Sequence, residues 1–486
     1  MGQVYSRAES VVAWLGQPTK NTDHVMDHIS RLKDPDLVYP DAAGLGTIEQ
    51  AFAAIRDSAV HFFHLSWWSR LWTVQEVNLA RAVVFMCGSR TVTSQDLDFW
   101  CSRGYFGMDL GGLWWTGFDR LLLRRSRSLF DLLMLHSRLH CMKPHDRVYS
   151  LLGIAENGGT FPVPDYTASL FEVYSAVALR ICARDGNLNF LLASGISPLG
   201  EGKEQGLPSW VPGWTQTSQS FIWGWAGCTT WPSSAKDNGP EFQLLNDGRI
   251  FKTLGVPCDV VSEVESNQAL GGGQPLGWRH LLPSASPADY KAGISQLLAY
   301  LQVVHMGVGV DLDRRIGDIE SVAFKKTLTG FLYGLGQPEA AGVSGIKTRE
   351  SGDLVDSFLW WIGDDRAGRT GEDILGTLLG GEGARGYLQW LSGPTRKGIE
   401  TVSIAYSKGR KFLQRWAPNA IFTTRGGLLG NGHLEVQEGD VVYVIPYCRA
   451  PIVLRPVAGR DEHMVVGAAF VLGLMNGEVR RELEQG

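Results

Sequence analysis

The segment Ser66-Trp67-Trp68-Ser69-Arg70-Leu71-Trp72-Thr73-Val74-Gln75-Glu76 places one carboxylate, Glu76, in a tryptophan-rich helical run. It leads into a wholly apolar strand, Ala82–Met86, and on to Cys87-Gly88. A carboxylate in such company needs a structural partner or a chemical task, because an unpaired buried charge is costly. The sequence itself offers two partners. Thr73-Val74-Gln75-Glu76 has the S/T-x-x-E form of a capping box, in which Glu76 satisfies a helix N-terminus. Arg70 could hold it in an ion pair instead. On a helix Glu76 shares a stripe with Trp72 and Leu79, which would leave it partly desolvated.

Other groups with chemical potential are weaker. His136, His140, Cys141 and His145 have a spacing that could bind zinc, with His136 and His140 one turn apart. No second cluster or acidic ligand pattern accompanies them, so core or surface roles and no metal are expected. Ser209 and Ser218 lie outside any Gly-x-Ser-x-Gly elbow. The run Gly380-Gly381-Glu382-Gly383-Ala384-Arg385-Gly386 lacks the Lys-Ser/Thr of a phosphate-binding loop. Asp146 and Arg147 read as structural, forming salt bridges that position their own helix.

The bulk numbers set limits on function. A chain of 486 residues, 44% hydrophobic and 20% charged, is an ordinary globular protein with room for several cores. Its 17 tryptophans suit those cores. A net charge of −5 carries no electrostatic footprint for nucleic acid. The short basic run Arg124-Arg125-Ser126-Arg127 reads as a solvated helix face. The 7 cysteines are scattered and odd in number, which points to reduced thiols and a cytoplasmic location. No apolar run is long enough to span a membrane. Met1-Gly2-Gln3-Val4-Tyr5-Ser6 fits the loose myristoylation pattern, but a helix is the better reading of these residues.

The elements that must hold Glu76 alternate between helix and strand. Residues 1–155 open with a short helix, Met1–Glu9, and a buried strand, Ser10–Gly16. An amphipathic helix follows from Thr47 to Val60, then a helix from about Ser69 to Arg81 and the strand Ala82–Cys87. This order predicts a parallel sheet covered by helices. Further helices are expected between Asp96 and Arg138, over Asp146–Gly153 with a closing glycine, and over Ser169–Arg184. Residues 156–239 form a helical segment and a connector rich in Pro, Gly and Trp. Residues 240–486 begin with strands near Arg249–Val264. A helical block follows, roughly Pro287–Gly334 and Gly371–Leu391, behind the loop Gly271-Gly272-Gly273. Short strands then run over Ala420–Thr424, Val441–Pro446, Ile452–Arg455 and Met464–Val471, suited to a small antiparallel sheet or barrel.

These blocks, taken in order, resemble the fungal heterokaryon-incompatibility (HET) domain proteins. The family's helix-to-strand entry is matched by Val4-Tyr5-Ser6-Arg7-Ala8 and Val11–Gly16. Its W-x-R-x-W-x-x-Q-E block is matched by Trp68, Arg70, Trp72, Gln75 and Glu76. Its D-x-V-Y-x-L-L-G block is Asp146–Gly153, P-D-Y is Pro164-Asp165-Tyr166, and L-P-S-W-V-P-x-W is Leu207–Trp214. The closing blocks are Gly439–Val442, Pro451–Arg455 and Gly473–Glu478. Two strands that usually precede the first helix in this family, L-S-Y-x-W-G and D-x-x-C-I-N-Q, have no counterpart. The resemblance therefore implies an N-terminally shortened domain over residues 1–155, with an exposed sheet edge.

The HET domain in turn resembles the Toll/interleukin-1 receptor (TIR) fold. The implied fold class is an α/β N-terminal domain, an incomplete TIR/flavodoxin-like parallel sheet with helices. A helical region and an α+β C-terminal region with a small antiparallel sheet or barrel follow it. Catalytic TIR domains cleave NAD through a glutamate in a W-x-x-x-E setting, the spacing of Trp72 and Glu76. By that resemblance Glu76 is the catalytic carboxylate facing the nicotinamide ribose, with Trp72 and Arg70 lining the substrate site. NAD enters as substrate, and no resident cofactor is expected. The family implies non-self recognition that ends in cell death, with protein partners and room for a homo-oligomer. Nucleic acid and membrane are not among the expected partners. A non-catalytic interaction or regulatory protein with a decayed HET region is the alternative reading.

Overall fold

A computed structural model describes residues 2–31, 58–102, 127–137, 139–161, 163–196, 206–214, 239–266, 370–391 and 419–485, with a few isolated positions between them. The expected helix Thr47–Val60, the block Pro287–Gly334 and the loop Gly271-Gly272-Gly273 fall largely outside these residues. The chain divides into two compact units. One comprises Met1–Ile181 with Trp214–Gln219, the other Cys182–Gly213 with Ser220–Gly486.

The first unit opens with helix α1 (Gly2–Arg7) and strand β1 (Val11–Gly16). The apolar, β-branched run Val11-Val12-Ala13-Trp14-Leu15 suits a strand, and Gly16 ends it with a φ of 123° that a side chain would resist. Ala13 and Leu15 point into the core, whereas Val12 and Trp14 on the alternate face are about half exposed. Helix α2 (Lys20–Arg31) follows and buries Val25, Met26 and Ile29.

β1 pairs in parallel with β2 (Val83–Cys87), matching Val12 to Val84 and Trp14 to Met86. β2 then turns back through Gly88, at φ 58°, into the antiparallel strand β3 (Arg90–Thr93). The sheet order is β1-β2-β3, so the sheet is mixed and not purely parallel. A turn as short as Gly88-Ser89 permits only the antiparallel return, since a parallel one needs a long crossover. β1 lies at one edge of this sheet among the described residues.

One sheet face builds the core. Ala13, Leu15, Val83, Phe85, Cys87 and Val92 pack with α2 and with Leu97 and Trp100 of α5 (Ser94–Ser102). Trp67 and Trp68 complete this core, their rings edge-on at 4.8 Å, with Trp68 5.2 Å from Phe85. Fully burying side chains of this size contributes on the order of 2 kcal/mol each, which makes the aromatic cluster a main stabiliser of the unit.

The helix expected over Ser69–Arg81 is two short ones, α3 (Ser66–Ser69) and α4 (Thr73–Asn78). Arg70 between them is extended, at φ −85° and ψ 134°. Its neighbours are claimed by another segment: His140 N–H donates to Ser69 O at 2.7 Å, and Leu71 N–H to His140 O at 2.8 Å. These bonds take the backbone groups that a continuous helix would need. Helices α6 (Leu129–Leu135), α7 (Asp146–Leu152) and α8 (Leu170–Asp185) follow, and α6 is capped by Ser128, which accepts from Asp131 N. Gly153 does follow α7 but stays right-handed, at φ −70°.

The second unit carries a hairpin of β4 (Phe242–Leu245) and β5 (Ile250–Thr253), the long strand β6 (Val256–Ser266) and helix α9 (Gly371–Leu391). Five strands follow: β7 (Asn419–Thr424), β8 (Leu429–His433), β9 (Val441–Val444), β10 (Ile452–Pro456) and β11 (His463–Val471). Helix α10 (Glu478–Gln485) comes last. The strands close a six-stranded antiparallel barrel in the order β8-β11-β10-β9-β6-β7. Val261, Phe422, Val442, Val444, Val453, Val466, Ala469 and Val471 fill it. Closure removes the exposed edges of an open sheet.

Candidate functional site

Glu76 lies on α4 and is half-buried. Its Oε2 accepts a hydrogen bond from Trp67 Nε1 at 3.2 Å. The bond joins the aromatic core to the carboxylate: a buried indole needs an acceptor for its N–H, and Glu76 is that acceptor. Oε1 takes no hydrogen bond from the described residues. Neither sequence-based partner is realised. Trp72, not Thr73, is the N-cap and makes no side-chain cap, while Thr73 Oγ1 donates to Arg70 O at 2.6 Å. Arg70 is exposed and forms no ion pair with Glu76. Both charges nonetheless act on the hydroxyl of Tyr5 on α1, so the three side chains are neighbours.

Trp72 is turned to another task. Its Nε1 donates to Asp146 Oδ2 at 3.1 Å, and Tyr166 donates its hydroxyl to Asp146 Oδ1 at 2.6 Å. Burial, with the Asp146 carboxylate beside it, pushes the Tyr166 phenol well above its ordinary value. Gln75 Nε2 donates to Ser150 O at 2.6 Å, and a Cβ on Gly153 would stand only 3.1 Å from that nitrogen. Gly153 thus serves by leaving space. Tyr149 donates to Asp165 O at 2.8 Å and accepts from Asp165 N at 3.1 Å. Asp165 is itself held below its usual range by Thr167, whose hydroxyl and N–H both reach Oδ1.

The blocks at 68–76, 146–153 and 164–166 therefore interlock through side chains. Among the described residues, the salt bridges expected of Asp146 and Arg147 are not formed. Asp146 accepts from Trp72 and Tyr166, and the buried Arg147 guanidinium donates to the carbonyls of Ser137 and Leu139. Among the residues of the zinc-like spacing, His136 is buried, His140 is exposed, and His145 Nε2 meets Ala168 O at 2.8 Å. No group of three metal-ligating side chains gathers among the described residues. Cys87, Cys141, Cys182, Cys258 and Cys448 are not joined in disulfides, and burial pushes Cys182 and Cys258 up to about 11. None of the helices among the described residues is long and apolar enough to cross a membrane.

Sequence reasoning missed two features of this site. The acceptor of Trp72 is far along the chain, and Tyr5 enters the sequence reading only within the family's helix-to-strand match, with no role at the site.

The model of the family Heterokaryon incompatibility protein (HET) matches residues 1–76, and that of the Het-6 beta-barrel domain matches residues 402–485. Over these two stretches the chain is similar to HET-domain proteins. It is 23% identical over 585 aligned residues to Heterokaryon incompatibility protein 6, OR allele, of Neurospora crassa, covering 100% of this chain and 79% of that one. No solved structure matches it.

Proposed function

We propose that the protein acts in non-self recognition of the heterokaryon-incompatibility kind, and that it signals by cleaving NAD at Glu76, with cell death as the outcome. The family matches and the Neurospora relative support the first part. One observation carries the second: Trp67 fixes one oxygen of a half-buried carboxylate and leaves the other without a partner among the described residues. A carboxylate so oriented can accept hydrogen bonds from a ribose and stabilise the positive charge that develops on it. The bond from the ribose carbon to the nicotinamide nitrogen breaks, and its electron pair leaves with nicotinamide. Water adds to the ribose carbon and loses a proton, giving ADP-ribose. Arg70 and Trp72 line the same segment, with the exposed guanidinium suited to a phosphate. Cysteines held outside disulfides suit a cytoplasmic setting.

The test is nicotinamide release by the purified full chain, with oligomerisation forced by a fused tag. Wild type should release it, and Glu76→Gln should be slower by about a hundredfold or more, as for loss of an electrostatic stabiliser. A Glu76→Gln chain as fast as wild type would remove the residue from the mechanism. Absence of release from wild type would remove the reaction.

A second reading, a non-catalytic interaction protein, is favoured by the employment of Trp72 and Gln75 in fold contacts with Asp146 and Ser150. It predicts that a Glu76→Gln chain still triggers incompatibility when expressed in an incompatible fusion. Loss of the response in that variant would count against it.

A further inference from the structure

Tyr5 stands one turn along α1 from Gly2, and α1 packs against α4. The approach is close: a Cβ on Gly2 would lie 3.2 Å from Leu79 Cδ1 and 3.9 Å from Gln75 Oε1. Tyr5 is half-buried beside Glu76 and Arg70. Its hydroxyl makes no hydrogen bond among the described residues, and neither does Glu76 Oε1. Gln75 Oε1, on a side chain only 3% exposed, also lacks a partner in this crevice. Of these three groups only the Gln75 oxygen is buried; the Tyr5 hydroxyl and Glu76 Oε1 keep access to solvent, where a ligand can reach them. Burial first, and then the Glu76 carboxylate, raise the Tyr5 phenol above its ordinary value. The phenol is therefore protonated at neutral pH and available as a donor. Tyr5 and Glu76 lie on packed helices, close enough to interact electrostatically but not hydrogen-bonded to each other, an arrangement a vicinal diol can bridge. One hydroxyl donates to the carboxylate and the other accepts from the phenol.

We infer that Tyr5 contacts the nicotinamide-ribose diol of NAD together with Glu76, so that α1 and α4 form the two sides of the ribose subsite. This rests on the reading of Glu76 as the site of NAD cleavage. No covalent step is added. Tyr5 binds and orients the sugar.

The experiment measures binding to the full chain by titration calorimetry, using carba-NAD, which keeps both hydroxyls but resists cleavage, and its counterpart lacking the diol. Wild type should bind carba-NAD more tightly than the diol-free ligand. Tyr5→Phe should weaken carba-NAD about three- to tenfold, the effect of one lost hydrogen bond, and leave the diol-free ligand unchanged. If wild type binds both ligands equally, the subsite is overturned without recourse to any variant. If Tyr5→Phe binds carba-NAD as wild type does, Tyr5 is removed and the Glu76 site stands. An equal loss for both ligands would make Tyr5 merely structural and overturn the inference. A wild type that binds neither ligand and releases no nicotinamide would overturn both the subsite and the reading beneath it.

Discussion

Asp146 is 7% exposed and carries a negative charge, yet the two groups it satisfies are neutral: the indole of Trp72 and the phenol of Tyr166. Removing the carboxylate strands both donors in a partly buried setting. Asp146→Ala should therefore destabilise the first unit by about 3 kcal/mol, on the order of 1–3 for each unpaired group less what water recovers. Asp146→Asn keeps the shape and one acceptor oxygen, so it should lose less. Denaturant unfolding of the two variants against wild type checks the order, and an unchanged midpoint for Asp146→Ala would mean that the bonds contribute nothing net. The sequence shows why such a role is hard to read from residues alone. Glu76 could be singled out because its surroundings are local, and its capping-box spacing was equally visible. The acceptor of Trp72 is 74 residues away, where no periodicity or spacing connects the two. What decided against the capping box was the extended backbone at Arg70, which follows from tertiary bonds to His140.

At the scale of elements, legibility followed side-chain patterning. β1, β2, β9, β10 and β11 are runs of Val, Ile and aromatic residues and were expected close to their observed bounds. β8 was not, because Leu-Gly-Asn-Gly-His has little strand propensity. Its glycines answer to a neighbour. A Cβ on Gly430 would collide with the ring of Phe422, its partner on β7, and Phe422 fills the barrel. A glycine there lets the aromatic ring lie flat over the backbone of the adjacent strand. Gly430→Ala should thus overpack the barrel and lower its stability by about 1–3 kcal/mol, although alanine has the better intrinsic strand backbone. Circular dichroism followed through a denaturant titration measures it. Stability equal to wild type would show that the Phe422 ring can swing aside at no cost.

For the whole molecule, the barrel shows what a reading along the chain cannot supply. Residues 402–485, the span matched as a barrel domain, hold five of the six strands. The sixth, β6, comes from residues 256–266 and closes the gap between β9 and β7. Its strand character was visible in sequence, but its membership of the barrel was not, because pairing across such a separation leaves no local mark. Closure also leaves His433, at the end of β8, partly buried. Its Nδ1 accepts from Glu435 N at 3.2 Å, and a Cβ on Gly467 would press on its ring. Burial pushes this imidazole down to about 4. The unfolded chain binds the proton below about 6.5, and the folded one only below about 4. Stability should therefore be full above about pH 6.5, fall as the pH drops through that window, and level off below it, by at most about 3 kcal/mol. His28, lowered by its own burial, adds a contribution of the same sign. The depressed carboxylates Asp27, Asp165, Glu172 and Asp373 carry stability that is lost only as the pH falls below the ordinary carboxylate range, a separate window. His433→Asn isolates the imidazole, because its amide oxygen can accept from Glu435 N in an Asx turn but does not titrate. Thermal midpoints recorded from pH 7 to pH 4.5 should drop for wild type and stay flatter for the variant. Parallel profiles would show that His433 titrates in the folded barrel much as it does in the unfolded chain, and that the acid sensitivity arises elsewhere.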